Sequence, residues 1–186
     1  LVPNAEHIPV DRKFDCVVGT VRNAAGALGG FTLKIDSLQQ VIVGGRGSFA
    51  LSEPQDGAAS QCDIIVDLSR HNPMFPAHEK REGYLRADPT HVPSLAKVVF
   101  AASQLIGTFE KPLYVRLEES LCAHNRAEQT ACSNCLNVCP TGAILSAGEH
   151  VTIDPMICAG CGSCAAVCPS GAISYDAPPV DTLFRR

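Results

Sequence analysis

The chain of 186 residues lacks several features that would assign it to a common functional class. It contains no block of lysine or arginine and its formal net charge is −4, so we expect neither nucleic acid nor a membrane surface as a partner. No apolar run approaches the length of a membrane span. Residues 1–15 have neither the basic region nor the apolar stretch of a signal peptide. These absences predict a soluble, cytoplasmic protein.

Recognisable catalytic groups are also missing. No activated serine or pair of carboxylates stands out. Four histidines, His71, His78, His91 and His150, occur in polar segments without ligand spacing, and we expect them to be solvated. The chain begins with leucine rather than methionine and stops without a natural ending. We therefore expect a piece of a longer polypeptide, with residues 177–186 as a tail that leads to the missing part.

The cysteines are abundant and unevenly distributed. There are ten, and eight of them fall between residues 122 and 168. So many cysteines would suggest disulfides in a secreted protein, but this clustering indicates metal binding. Cys16 and Cys62 lie apart in apolar stretches, and we expect them to be small buried hydrophobic residues.

The first 118 residues predict a small α+β or α/β domain with a mixed sheet. Short segments rich in β-branched residues predict strands at residues 14–21, 31–36, 40–44, 62–68 and 113–117. Residues 94–107 predict an amphipathic helix that begins at an N-cap, Ser94, and ends at Gly107. The proline-rich segment 70–93 has no periodicity and predicts a long surface loop suited to docking.

An internal repeat begins near residue 119. A shift of 29 residues aligns three cysteine pairs and the strings CPTGAI and CPSGAI; the pairs are Cys132 with Cys161, Cys135 with Cys164, and Cys139 with Cys168. Each copy predicts a cysteine loop, a short helix, a turn at Gly142 or Gly171 and a short strand. The same shift pairs Gln129 with Cys158, so the first copy lacks one cysteine.

The second copy, CAGCGSCAAVCP, has the spacing CxxCxxCxxxCP that bacterial ferredoxins use for [4Fe-4S] clusters. In that pattern the fourth cysteine binds the neighbouring cluster. One predicted cluster is therefore held by Cys139, Cys158, Cys161 and Cys164. The other is held by Cys132, Cys135, Cys168 and one further ligand. Zinc is the alternative metal, but a zinc site does not explain a duplicated run of this kind.

Three residues are candidates for the missing ligand. Cys122 is favoured because thiolates are the standard ligands and the nine residues between Cys122 and Cys132 form an easily closed loop. Gln129 has the repeat-equivalent position but offers only an amide oxygen. His124 would supply nitrogen, which would raise the potential. A three-iron cluster that does not use Cys122 is a further alternative.

On this cysteine pattern, residues 119–176 resemble a ferredoxin-type domain with two [4Fe-4S] clusters, and they depart from plain ferredoxins at Gln129. The segments FPAHEKREGYLR and GTFEKPLYVRLEESLCAH resemble large bacterial iron–sulfur proteins encoded beside molybdenum-dependent formate dehydrogenases. The resemblance implies an α+β protein in which a small α/β domain precedes a ferredoxin-like dicluster domain. It also implies electron carriage in a larger assembly, with a redox protein as the partner and a formate dehydrogenase as one candidate.

We predict an electron carrier with two low-potential clusters rather than a catalyst by itself. One alternative is a dinucleotide-binding oxidoreductase, because Gly45, Gly47 and Ala50 fit GxGxxA and Asp67 follows about 20 residues later. However, the stretch LSEPQDGAASQC contains a proline and an Asp-Gly pair, which interrupt the helix that would face the pyrophosphate. The other alternative is a structural role in assembling a partner enzyme.

Overall fold

The computed structural model describes residues 14–43, 49–126 and 129–185. These residues divide into two compact units. The first lies within Leu1–Met74 and Gly83–Gln104, and the second lies within Phe75–Glu82 and Leu105–Arg186. The short segment Phe75–Glu82 therefore belongs with the cysteine-rich part of the chain, although the residues on either side of it belong to the first unit.

The first unit is built on an antiparallel sheet centred on one long strand. β1 (Val17–Ala25) pairs with β2 (Phe31–Val43), which also pairs with β3 (Phe49–Leu51) and β4 (Ala58–Cys62). Gly26 lies between β1 and β2 at a φ of +95°, and a Cβ at this position would lie 2.2 Å from a backbone oxygen. The turn therefore requires glycine. Phe31 at the start of β2 is fully buried, whereas β1 is exposed along most of its length.

β2 is continuous where the sequence predicted two separate strands. Ser37 lies in the gap between those predicted strands, has a φ of +50°, and donates its backbone N–H to Asp56 Oδ1 at 2.8 Å. The break in the hydrophobic pattern therefore marks an irregularity within one strand. Among the described residues this four-stranded sheet is antiparallel throughout rather than mixed. Parallel pairing occurs separately, between β5 (Ile65–Asp67) and β6 (Tyr84–Arg86).

The helix predicted over residues 94–107 is present as α1 (Val92–Ser103). Its N-cap is His91 rather than Ser94, whose Oγ instead lies 2.6 Å from His91 Nδ1. The segment 70–93 is not one continuous loop, because it contains a 3₁₀ turn at Ala77–Glu79 as well as β6. Across the described ranges, no helix combines the length and apolar character needed to span a bilayer.

A buried carboxylate links β5 to β6 in the first unit. Tyr84 Oη donates to Asp67 Oδ2 at 2.5 Å, the Ser69 N–H donates to Oδ1 at 2.8 Å, and Arg86 Nε lies 3.4 Å from Oδ2. Burial by itself would raise the pKa of Asp67, but the hydrogen bonds and the nearby guanidinium lower it overall. Asp67 is therefore a structural ion that holds the parallel pair together.

The second unit contains the eight clustered cysteines. Its elements in chain order are β7 (Val115–Leu117), β8 (Asn125–Arg126), β9 (Gln129–Thr130), α2 (Asn134–Val138), β10 (Ile144–Ala147), β11 (His150–Ile153), α3 (Ser163–Ala166), β12 (Ile173–Tyr175) and α4 (Val180–Phe184). Its strands form antiparallel pairs, β8 with β9, β10 with β11, and β12 with β7. β7, which precedes the predicted boundary at residue 118, is therefore paired within this unit.

The core of the second unit lies between its two cysteine segments. Val151 is fully buried and belongs to one apolar cluster with Ile144, Ile173, Cys135 and Cys164. The two cysteines lie on α2 and α3 respectively. In both segments the helix is followed by a glycine with positive φ and then by a strand. Two short helices are thus packed so that cysteines can face the interior.

Candidate metal centres

Four cysteines surround one cavity in the second unit. Cys122, Cys132, Cys135 and Cys168 all line this cavity. They come from distant parts of the sequence. Cys135 lies on α2, Cys168 follows α3 by two residues, and Cys122 follows a 3₁₀ turn in which its N–H donates to the Glu119 oxygen at 3.0 Å. The structure therefore brings Cys122 to the three cysteines of the incomplete predicted set.

His124 holds the loop between Cys122 and α2. Its side chain is buried, and its Nδ1 donates to the carbonyl oxygen of Cys132 at 2.7 Å. Its Nε2 lies 2.7 Å from Ser146 Oγ and accepts from that hydroxyl, because Nδ1 carries the proton. The backbone oxygen of His124 also accepts from Ala131 N at 2.8 Å. Both ring nitrogens are thus engaged, and His124 acts as a clamp rather than as a metal ligand.

A second cavity is surrounded by the other four cysteines. Cys139, Cys158, Cys161 and Cys164 all line this cavity. Cys139 directly follows α2, and Cys164 lies on α3. Cys158 begins the loop before α3, and its N–H donates to the Asp154 oxygen at 3.0 Å.

The two short helices exchange cysteines between the cavities. α2 carries Cys135 toward the first cavity and is followed by Cys139 at the second. α3 carries Cys164 toward the second cavity and is followed by Cys168 at the first. Because each helix serves both cavities, the two centres depend on one packing arrangement.

Two tyrosines enclose the loop of the second cavity. A Cβ at Gly160, whose φ is +70°, would lie 2.6 Å from the ring of Tyr114. Tyr175 Oη donates to the Gly160 oxygen at 3.2 Å. The loop thus has room for a glycine but for no larger residue at position 160. The Lys111 ammonium also reaches this loop and donates to the Met156 oxygen at 2.8 Å.

The most buried thiol at each cavity has a raised pKa. Burial, followed by the charges of Cys132 and Cys122, raises the pKa of Cys135. Burial, followed by the charges of Cys158, Cys161 and Cys139, raises the pKa of Cys164 to about 11. Each thiol is thus within electrostatic range of cysteines from its own cavity. A bound cation would be needed to keep four thiolates together at neutral pH.

The pKa is lowered, rather than raised, at Cys139 and Cys168, the two cysteines that follow the short helices. Burial by itself would raise the pKa of Cys139, but hydrogen bonds from the Thr141 hydroxyl and from backbone amides such as that of Ala143 lower it overall. The pKa of Cys168 is likewise lowered despite burial, by backbone amides including that of Ile173 and by the Ser170 hydroxyl. The turn after each helix therefore directs N–H and O–H donors at a sulfur, as at iron–sulfur sites.

The remaining candidate residues are Cys16, Cys62, Gln129 and the glycines of the predicted dinucleotide site. Cys16 and Cys62 are partly exposed rather than buried as predicted. Gln129 forms the backbone pair of β9 with Arg126, and its side chain lies outside the described residues. Gly45 and Gly47 also lie outside the described residues. The residues that follow them, Phe49–Leu51, form a strand paired with β2, so no helix begins there.

Several contacts of the site were not predicted from the sequence. They include the bonds of His124 to Cys132 and Ser146, the tyrosines around Gly160, and the contact of Lys111 with the second loop. For the contacts of His124, the sequence offers a weak signal, because this histidine stands two residues after the predicted ligand Cys122. The others join residues 15 or more positions apart and leave no local pattern.

Residues 130–172 match a family model described as a 4Fe-4S dicluster domain. The matched segment contains seven of the eight clustered cysteines and begins after Cys122. A search among curated proteins finds no match to the chain, and the resemblance to proteins encoded beside formate dehydrogenases has no support from these comparisons. The resemblance to a dicluster ferredoxin-type domain is confirmed for residues 130–172.

Proposed function

We propose that this chain is an electron-transfer module with two low-potential [4Fe-4S] clusters, and that it forms part of a larger redox protein. One cluster site is formed by Cys122, Cys132, Cys135 and Cys168. The other is formed by Cys139, Cys158, Cys161 and Cys164. The observation that carries the proposal is the presence of two adjacent cavities, each lined by four cysteines.

The donor set fits this type of cofactor. Thiolates are the usual ligands of [4Fe-4S] clusters, and each cavity has four of them. A structural zinc ion requires donors that converge on a single point at about 2.0–2.3 Å. Among the described residues, no three His, Cys, Asp or Glu side chains form a group of that kind. The cysteines surround a space instead, which favours a cluster over a single ion.

When bound, such clusters supply reversible one-electron storage. The residues of this chain would hold the cofactor and adjust its potential. The amides and hydroxyls near Cys139 and Cys168 donate to sulfur, which stabilises negative charge there. Ile144, Ile173 and Val151 provide an apolar wall that limits access of water. No general acid or base is required for electron transfer.

Cys122 is the proposed fourth ligand of the first site. It lines the same cavity as Cys132, Cys135 and Cys168, whereas both nitrogens of His124 are already bonded. The sulfur of Cys122 also has the donor chemistry of the other seven ligands. A thiolate that already faces the cavity supports a complete four-iron cluster over a three-iron one.

The alternative functions have less support. The predicted dinucleotide site requires a helix after the glycines, and the described residues there form β3. A purely structural role for the clusters remains the competing hypothesis, and redox measurements separate it from electron transfer. A formate dehydrogenase as partner and a cytoplasmic location both stay predictions.

Iron analysis with redox titration tests the proposed function. The chain, purified without oxygen, should contain about eight iron and eight sulfide per molecule. Dithionite should bleach the cluster absorption and produce a reduced-state paramagnetic spectrum, with midpoints below zero millivolts. Zinc as the main metal would contradict the cofactor assignment. Clusters that are present but cannot be reduced would support the structural role instead.

A further inference from the structure

One of the eight proposed ligands is more accessible than the rest. All ten cysteines lie in the described part of the chain, and Cys161 is the one classed as exposed, while Cys135 and Cys164 are buried and the others are intermediate. Cys161 lines both the second cavity and a wide, open surface groove. It therefore connects the interior of the second cluster site with the protein surface.

The residues around Cys161 are small enough for a partner protein to come close to its sulfur. The groove is lined mainly by Gly160, Gly162, Ser163, Ala165, Ala166 and Ser174. None of these side chains extends far from the backbone, so a partner could approach Cys161 without displacing a bulky residue. Electron tunnelling falls steeply with distance, and a shallow approach to a ligand sulfur is therefore favourable. Tyr175 and Val180 supply apolar surface at the sides of the groove.

The charge of this part of the chain indicates which partner fits. Residues 105–186 contain eight acidic and five basic side chains, a net charge of −3. Each oxidised four-thiolate cluster would add about −2. The lining of the groove itself contains no charged residue, and the exposed Asp181 directly follows Val180 at its edge. A neutral groove on a segment of net negative charge complements a protein whose redox centre is ringed by basic residues.

We propose that this groove is the docking surface for a separate electron-transfer protein with a basic rim, and that electrons pass between the two proteins through the second cluster at Cys161. This proposal rests on the proposed function. A second copy of this chain is a poor occupant because like charges would face each other. A dinucleotide is also a poor occupant because the groove lining has no lysine or arginine for its phosphates.

Electron transfer to cytochrome c, a basic one-electron acceptor protein, tests the proposal with a matched pair of variants. Ser174 lines the groove, and Leu145 is the exposed strand residue at the equivalent position of the first repeat. The reduced holo chain is mixed with cytochrome c by stopped flow. Ser174→Trp should lower the second-order rate about fivefold or more, because docking geometry limits association. Leu145→Trp should leave the rate within about twofold of wild type.

Charge and cofactor content provide independent checks. Asp181→Lys should lower the rate and weaken its dependence on salt, because it removes attraction to a basic partner. Iron, sulfide and the reduced-state spectrum must match wild type in each variant. If Ser174→Trp fails to incorporate clusters, Ala166→Trp obstructs the same groove from α3 and takes its place.

The possible results separate this proposal from its rivals. Equal rates for the Ser174 and Leu145 variants would overturn it. The proposal would also be overturned if Ser174→Trp slowed electron transfer from a reduced viologen as much as it slowed transfer to cytochrome c, because the groove would then admit small molecules. Light scattering that shows a dimer disrupted by Ser174→Trp would assign the groove to a second copy. Wild-type clusters that cannot be reduced would remove the proposed function and this proposal with it, before any variant is made.

Discussion

The imidazole of His124 joins the carbonyl oxygen of Cys132 to the hydroxyl of Ser146, with both contacts at 2.7 Å. This bridge ties the loop of the first cluster site to β10. It also places Cys122, two residues before His124, at the cavity that contains Cys132. The clamp therefore fixes the loop that carries Cys122, the proposed ligand in place of the missing cysteine at position 129.

Removing this clamp should loosen the first site selectively. In His124→Ala, the Cys132 carbonyl and the Ser146 hydroxyl lose a buried partner, at a cost of about 1–3 kcal/mol. We expect faster loss of iron from the first site under a chelator, while the second site keeps its cluster. The release kinetics can be followed by absorbance with paramagnetic resonance of the remaining cluster. His78→Ala, which changes an exposed histidine in the same unit, is the control, and equal release from both variants would contradict the clamp.

The identity of the fourth ligand can be tested directly. Cys122→Ala should convert the first cluster to a three-iron form or remove it, so that iron falls from about eight to about seven or four per molecule. Gln129→Ala should retain about eight. Iron analysis and the reduced-state spectrum decide between them. If Gln129→Ala altered the spectrum and Cys122→Ala did not, the repeat-equivalent residue would be the ligand.

Gly160 should be intolerant of a side chain. Gly160→Ala places a methyl group against the Tyr114 ring and adds the strain of a positive φ, which costs about 1–2 kcal/mol by itself. The second cluster should therefore be lost more readily. Gly148→Ala is the matched control, because Gly148 has a φ of +79° and open space around it. If both variants released iron at the same rate, backbone strain rather than the Tyr114 contact would be responsible.

Lys111 should raise the potential of the second cluster. Its side chain is only 11% exposed, and its ammonium bonds the Met156 oxygen two residues before Cys158. A positive charge near a cluster favours the reduced state, which is one unit more negative. Lys111→Met should therefore lower that midpoint by tens of millivolts as an order of magnitude, measured by a spectroscopic redox titration. The exposed Lys80→Met should have little effect, and an upward shift in Lys111→Met would refute the electrostatic role.

Asp67 should make the first unit sensitive to acid. Its pKa is lowered in the folded state, so its stabilising contribution is present above the unfolded pKa of about 3.9 and is lost as the pH falls through the folded value. Asp67→Asn should destabilise the unit by about 1–3 kcal/mol at pH 7, and the difference from wild type should shrink on acidification.

Urea unfolding followed at several pH values measures this change. Asp63→Asn alters an exposed carboxylate four residues away and is the control. A difference between Asp67→Asn and wild type that stayed constant with pH would show that lost packing, rather than lost charge, causes the effect.

The cysteine pattern predicts seven of the proposed ligands and their two groups, because ligand spacing reflects the local path of a chain around a cluster. The grouping of Cys139 with Cys158, Cys161 and Cys164 follows from that spacing, and the same four line one cavity. A helix was also predictable, since apolar residues recur with helical periodicity over 94–107, but its observed bounds are Val92–Ser103. The antiparallel character of the first sheet was not, because strand direction depends on which segments pair.

For this protein, the sequence by itself determined the chemistry: eight clustered thiols, a duplicated cysteine spacing, and the absence of a cysteine at position 129. Only the tertiary structure decided which cysteine joins Cys132, Cys135 and Cys168 at the first cavity and which of the eight is exposed. His124 binds both Cys132 and Ser146, and this brings Cys122 to the first cavity. Cys161 is exposed while its repeat counterpart Cys132 is not. Both outcomes depend on contacts between distant residues, and a local pattern of residue types carries no information about such contacts.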